Sequence, residues 1–196
     1  MAYTNQRFAS FEAYLEIDPS ELPEGRYEYW DGELVQVMTE SLENDGLANY
    51  LYLLLVQAGI YHLLIRPGKV EVCVPGRPRT RFPDLIILDD PHLTLMSKNA
   101  RLTQTMPPPR VLIEVVSPGG KTSDNYLRDY RDKPIQYAAI GVPEMWRIDP
   151  DRNWVEIGTL MDGAYQFVTF TGDAAIVSPL FPMLNLTAAQ ILSAGR

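Results

Sequence analysis

The chain has 196 residues, of which 46% are hydrophobic, so it is long enough for a single domain with a sizeable core and has the composition of an ordinary soluble protein. Its formal net charge of −8 argues against a general polyanion binder, because nonspecific affinity for nucleic acid comes mainly from Lys and Arg neutralising phosphates. The lone Cys73 excludes an internal disulfide framework and a thiolate zinc cluster, and with only His62 and His92 as imidazoles any metal must be held by oxygen.

No apolar run reaches the roughly 18 residues of a membrane span, and the first residues lack the charged-then-apolar pattern of a secretory signal, so a cytoplasmic protein with no membrane partner is expected. In chain order, Ser10 to Ile17 reads as a short amphipathic helix before Pro19, and Pro23 to Gly25 breaks the chain. Arg26 to Trp30, the dipeptide Asp31-Gly32 and the run ELVQVM to Met38 predict a β-hairpin, because a two-residue turn needs positive φ at its centre. Glu28 and Glu33 flank that turn. Leu47, Leu51, Leu54, Leu55 and Ala58 recur at helical spacing and Gly59 follows as a stop, which predicts a core-facing helix over 41–58. Glu43, Asn44 and Asp45 in its first turn are accounted for by capping and the helix dipole, with Glu43 also a candidate accessory acid. Ile60 to Val74 reads as an extended stretch broken near Pro67-Gly68.

Phe82 to Leu88 and Val111 to Val116 are rich in Ile, Val and Leu and are bounded by turn residues, the pattern of adjacent central strands. Asp84 interrupts the first run and Glu114 the second. An ionised carboxylate moved into an apolar interior costs several kcal/mol unless it is paired or bound to a metal, so two such acids at one end of a sheet are candidates to hold a hard divalent ion such as magnesium. The competing reading is structural, with the acids reaching solvent or pairing with an arginine. Arg77, Arg79 and Arg81 crowd the segment before Asp84, Lys98, Arg101 and Arg110 lie in the next connection, and Lys121, Arg128, Arg131 and Lys133 follow Glu114. They are either a basic surround for a nucleic-acid backbone, Arg77, Arg79 and Arg81 above all, or solvated surface charge.

The connection from Asp89 to Pro109 has little periodicity and ends in Pro107-Pro108-Pro109, which predicts a mobile, lid-like loop. After Ser117-Pro118-Gly119-Gly120 a helix is predicted from near Ser123 to Ile140, stopped by Gly141 and Pro143 and kinked or restarted at Pro134. Strands are predicted at Glu144 to Asp149, Asn153 to Leu160 and Ala164 to Phe170, with turns at Asp149-Pro150 and Asp162-Gly163 and a short helix after Thr187. Trp146 and Trp154 are expected in the core. No phosphate-binding glycine loop, nucleophile elbow or zinc-type cluster is present.

The order helix, strand, strand with Pro83-Asp84, strand with Glu114, helix, strand resembles the core of the PD-(D/E)XK nuclease superfamily. The ensemble RYEYWDGELV, RFPDLIIL, VLIEVVSP and KPIQYAAIGVPEMWRIDP is similar to the Uma-two family of putative restriction endonucleases, over about residues 10 to 190. The resemblance implies an α/β (α+β) fold with a restriction-endonuclease-like core, a central mixed sheet flanked by helices, plus an N-terminal hairpin and C-terminal antiparallel strands. It implies Asp84 and Glu114 as metal ligands completed by the carbonyl of Val115, with Mg²⁺ as cofactor, Mn²⁺ as substitute and nucleic acid, DNA in the first place, as partner. The position two after the glutamate, where the superfamily carries lysine, is Val116. The family pattern instead offers Lys133 on the following helix, with Lys121 as the alternative. Asp129, Lys133 and Tyr137 are spaced four apart and would share one helix face, although an Asp129–Lys133 pair is also an ordinary exposed contact. The expected activity is metal-dependent phosphodiester hydrolysis. A non-catalytic module binding nucleic acid or protein on the same fold, and an assembly subunit pairing through hairpin edges, are the alternatives; a homodimer is compatible with each.

Overall fold

The computed structural model describes residues 3–18, 21–22, 24–37, 41–96 and 99–193; Pro19, Pro23, Met38 and Lys98 lie outside them. The first elements form where local chemistry directs them. Ser10 caps α1 (Phe11–Glu16), its Oγ accepting from the Ala13 N–H at 3.1 Å, as short polar side chains do at a helix start. Strand β1 (Tyr3–Arg7) pairs with β3 (Glu33–Gln36), which pairs in turn with β2 (Tyr27–Trp30). The Asp31-Gly32 turn has φ of 45° and 92°, as the hairpin reading requires. Helix α2 (Leu42–Gln57) is capped by Ser41, and Gly59 follows it at φ 94°.

A six-stranded mixed sheet in the order β12-β11-β10-β9-β7-β4 forms the centre. Its members are β4 (Ile65–Pro67), β7 (Leu85–Ile87), β9 (Val111–Val115), β10 (Glu144–Asp149), β11 (Trp154–Met161) and β12 (Ala164–Phe170). β9 and β10 run parallel and the other neighbours antiparallel. A further small sheet joins β5 (Glu71–Cys73) to β6 (Thr80–Arg81) and β8 (Arg101–Leu102).

Both faces of the central sheet are covered, which is why β9 and β10 are buried along their whole length. Ile113, Val115, Trp146 and Ile148 pack with Leu47, Leu51 and Leu55 of α2 and Ile191 of α6 (Ala188–Leu192). On the opposite face Ile86, Leu112 and Met145 pack with Val72 and Tyr137. Period-2 alternation therefore sends Glu114 to the Tyr137 face.

Three expectations need correction. The apolar run from Phe82 splits: Arg81 belongs to the small sheet opposite Val72, and the chain enters the central sheet only at Leu85, so Asp84 stands at the mouth of β7 rather than inside a strand. The connection after Asp89 is built structure around the undescribed residues 97 and 98: it holds α3 (Asp90–Leu95) and β8. His92 is buried there and bonds the Pro107 carbonyl through Nε2 at 2.9 Å, which anchors the proline run. Trp154 is only half-buried.

The helix after Gly120 restarts beside Pro134, as expected, but through a π-helical turn that the sequence does not announce. It runs as α4 (Asp124–Leu127), a π-helical turn (Arg128–Asp132) and α5 (Lys133–Ala139). Pro134 has no N–H to offer the Tyr130 carbonyl four residues back, and Arg147 Nη1 approaches that carbonyl at 3.5 Å instead. Among the described residues no helix is long and apolar enough to cross a membrane.

Candidate active site

Because Leu85 pairs with Ile113 in the antiparallel β7–β9 ladder, Asp84 comes level with Glu114 on the neighbouring strand. Asp84 is nearly buried, and its Oδ2 accepts the Val115 N–H at 2.7 Å. This bond across the end of the ladder fixes the Asp84 carboxylate beside the Glu114-Val115 peptide. Glu114 is fully buried. Its Oε2 accepts from Lys133 Nζ at 2.8 Å and its Oε1 from the Tyr137 hydroxyl at 2.5 Å.

Lys133 reaches Glu114 from a different element, as the sequence resemblance implies, and its ammonium also lies 2.8 Å from Asp129 Oδ1. Asp129 is fully buried too, so this is no exposed helix pair. Arg128 donates to it from Nε and Nη2 at 3.0 and 3.1 Å, and to Ser117 Oγ at 2.9 Å, while the Ser117 N–H approaches Asp129 Oδ2 at 3.3 Å. The loop after β9 is thereby tied to the helix that carries the lysine.

The two carboxylates that share Lys133 differ electrostatically. Burial raises the Glu114 pKa, and the Lys133 ammonium with the bonds from Lys133 and Tyr137 offsets only part of it. Burial pushes Asp129 up as well, but Lys133 and Arg128 together outweigh it and hold the group down to about 2. Lys133 has burial working against its charge, yet Asp129, Glu114 and, more weakly, Asp84 raise its pKa. At neutral pH it is an ammonium facing buried acid on both sides.

Asp84, Glu114, the Val115 peptide, Asp129, Lys133 and Tyr137 are thus brought together. Glu28 stands next to this group through Arg81, whose Nη1 bonds Glu28 Oε1 at 3.0 Å and whose Nε bonds Gln136 Oε1 at 2.8 Å. Glu43 sits on the exposed first turn of α2 and Lys121 on an exposed turn after β9, neither in the cluster. Arg77, Arg79 and Arg81 do not face one surface. Arg77 is exposed and pairs with Asp31 at 2.8 Å, Arg79 lies 4.2 Å over the Phe11 ring, and Arg81 is buried in its ion pair. Arg128 and Gln136 were not singled out from sequence as site residues. Spacing gives no sign of Gln136, which ties α5 to the carbonyls of Pro75 and Pro78 at 2.9 Å each; Arg128 carried one weak signal, its position beside Asp129.

Among the described residues no three His, Cys, Asp or Glu side chains converge as a ready cation cage. The donors fit a hard ion of the magnesium kind, which takes one or two carboxylates and fills its remaining positions with water and substrate phosphate. Each carboxylate oxygen of Glu114 has lone-pair capacity beyond the hydrogen bond it accepts from Lys133 or Tyr137.

A solved structure described as a putative nuclease belonging to DUF820, from Anabaena variabilis, superposes with a TM-score of 0.67 at 16% identity. The match covers 93% of this chain and 96% of that one, so the two share a fold. No curated protein matches the chain. The family model for Uma2, described as a putative restriction endonuclease, matches residues 11–189. With nearly the whole described chain inside that match, and its acids and lysine gathered at one end of the central sheet, the protein belongs to the Uma2 family.

Proposed function

We propose that the protein is a magnesium-dependent endonuclease that hydrolyses phosphodiester bonds of DNA in the cytoplasm, with Asp84, Glu114 and the Val115 carbonyl holding the ion and Lys133 as the catalytic lysine. The observation that carries this reading is the convergence of Lys133 on Glu114 from a separate helix, which supplies the ammonium that Val116, just after β9, does not. A bound divalent ion would supply Lewis-acid polarisation of the phosphate and a lowered pKa for water. Asp84 and Glu114 contribute fixed negative charge whose orientation is set by the Val115 N–H and the Tyr137 hydroxyl. Lys133 stays protonated beside Asp129 and can stabilise charge developing on a phosphate oxygen or orient water by hydrogen bonding. Asp129, clamped by Arg128, is a positioning residue that holds Lys133 in place.

A second reading, a non-catalytic binding module, is favoured by the engagement of both Glu114 oxygens with protein donors. One experiment separates the two. Purified protein with Mg²⁺ or Mn²⁺ is offered single-stranded and duplex DNA and RNA, beside Glu114→Gln and Asp84→Asn variants shown to be folded. Metal-dependent cutting by the unaltered protein alone supports the nuclease. Cutting that survives Glu114→Gln sinks the site assignment, and salt-sensitive binding without cutting selects the module.

A further inference from the structure

One face of the helix that carries Lys133 is used by the acid cluster; an adjoining face carries a stacked column that the proposed chemistry does not use. The Arg147 guanidinium lies 3.7 Å over the Phe167 ring and 4.3 Å over the Tyr130 ring. Tyr130 in turn stacks on Tyr126, with ring centres 4.3 Å apart and planes 13° apart. The plates therefore run Phe167, Arg147, Tyr130, Tyr126.

This column is held rigidly. The Tyr130 hydroxyl donates to Asp149 Oδ2 at 2.6 Å and accepts from Trp154 Nε1 at 3.1 Å. Asp149 is fully buried and also takes Arg152 Nη1 at 2.6 Å, while Arg152 Nη2 bonds the Gly119 carbonyl at 3.1 Å. The Arg147 charge is met by Glu156 at 2.9 Å.

Tyr126 is the outer plate. It is half-buried, and among the described residues its only ring partner is Tyr130. The Arg152 guanidinium lies 5.1 Å from the Tyr126 centre and 5.6 Å from the Tyr130 centre, beside the pair rather than over its outer face. Tyr126 also precedes Asp129 by three residues, which places their side chains about 5–6 Å apart at Cβ on neighbouring faces. The end of the column thus lies on the same helix turn as the acid and lysine cluster.

We propose that the outer face of Tyr126 is a stacking platform for an unpaired nucleobase beside the cleaved phosphate, so that the preferred ligand is a single-stranded or splayed nucleic acid rather than an intact duplex. The proposal rests on the nuclease reading for its position, although base stacking can be measured without cleavage. A base has a π-face that continues the column, and Arg152 at its edge supplies a cation for the adjoining backbone. A base inside a duplex is already stacked on both sides and cannot take this place.

The test uses the full chain, with Ca²⁺ in place of Mg²⁺, and a short oligodeoxynucleotide carrying one 2-aminopurine, offered single-stranded and as a duplex, with the RNA equivalent as a third arm. Single-stranded DNA should bind more tightly than duplex and its fluorescence should be quenched on binding. Tyr126→Leu, which keeps apolar bulk without a π-face, should weaken binding about 10-fold or more, whereas Tyr126→Phe and Tyr126→Trp keep it. Equal quenching of the RNA would extend the platform to either sugar, and quenching of DNA alone would fix the ligand as DNA. Full-strength binding by a folded Tyr126→Leu, equal loss in Tyr126→Phe, preference for duplex, or no binding at all would overturn the platform. Parallel Mg²⁺ assays separate the two ideas: quenching without cutting keeps the platform and removes the nuclease, and cutting indifferent to Tyr126→Leu does the reverse.

Discussion

Replacing Lys133 by Met removes the one cation that lies between Glu114 and Asp129, each fully buried and each 2.8 Å from the ammonium. Methionine keeps most of the stem, so the loss is mainly of charge. Breaking a buried ion pair from one side costs about 3–5 kcal/mol, and for a chain of this size that corresponds to a fall in Tm of roughly 10 °C. The loss depends on pH. Asp129 is held from 3.8 down to about 2 in the folded state, worth about 2 kcal/mol above pH 3.8 and lost as pH falls through 2; without Lys133 most of that contribution disappears. Glu114 is already raised above 4.5 by burial and rises further when the ammonium is gone. A raised carboxyl is at no disadvantage below its unfolded pKa and loses stability as pH rises through its folded pKa. Both effects have the same sign: the deficit of Lys133→Met should fade only as pH drops towards 2, should already be about 2 kcal/mol near pH 4.5 from Asp129 alone, and should grow further towards pH 8 as Glu114 is forced to ionise. Urea denaturation in EDTA at several pH values, followed by fluorescence of the buried Trp146, measures it. A deficit below about 1 kcal/mol at pH 8, or one equal at pH 5 and pH 8, would refute the argument that Lys133 compensates both acids.

Other outcomes follow from neighbouring contacts. Tyr137→Phe removes the hydroxyl that donates to Glu114 Oε1 at 2.5 Å and should cost about 1–3 kcal/mol, the penalty of an unmet buried acceptor; an unchanged urea midpoint would contradict it. Arg101 pairs with buried Glu71, which also accepts from the Tyr14 hydroxyl at 2.5 Å, so Arg101→Leu should destabilise by about 3–5 kcal/mol and a Glu71→Leu partner change should restore part of it. Pro134→Ala should stabilise the chain, by up to about 3 kcal/mol, because alanine favours helix and restores an N–H. It should nevertheless slow cleavage, and unchanged rates with an unchanged helix would count against any role of the π turn.

Legibility followed the length scale of the signal. Asp31-Gly32, the leucine spacing from Leu47 to Ala58 and Gly59 act within a few residues of themselves, and the hairpin and α2 could be read from them. Asp84 and Glu114 stood out because charge inside an apolar run is costly, and the register of β7 on β9 brings them level. The short strands β6 and β8 have no room for periodicity, so the small sheet was hidden and Asp84 was drawn into a strand it only precedes. Buried His92 anchors Pro107 from 15 residues away, a contact that no local pattern announces, and the segment therefore looked like a loop. The Arg81 pair with Glu28 and Gln136 spans 53 and 55 residues, so a buried tie passed for surface charge.

Pro134 illustrates how a local rule can hold while the geometry that meets it stays hidden in the sequence. A proline inside a helix must free the carbonyl four residues back, and a kink or a restart is the usual result; here α5 restarts at Lys133. Here the chain absorbs the loss beforehand: the Lys133 N–H bonds the Arg128 carbonyl five residues back, and the freed Tyr130 carbonyl is approached by Arg147. Residues spaced by four drift about 40° per step around an ordinary 3.6-residue helix, so Asp129 and Tyr137 would diverge by roughly twice that. The wider π turn between Asp129 and Lys133 winds back part of this drift. Lys133 can therefore face Asp129 within its own helix and Glu114 across the sheet while Tyr137 meets the same glutamate. The same turn sets Tyr130 on Arg147 and Tyr126 on Tyr130. One proline-adjacent irregularity thus orients the charged cluster and the aromatic column from a single helix, in keeping with the tendency of π-bulges to occur at functional sites.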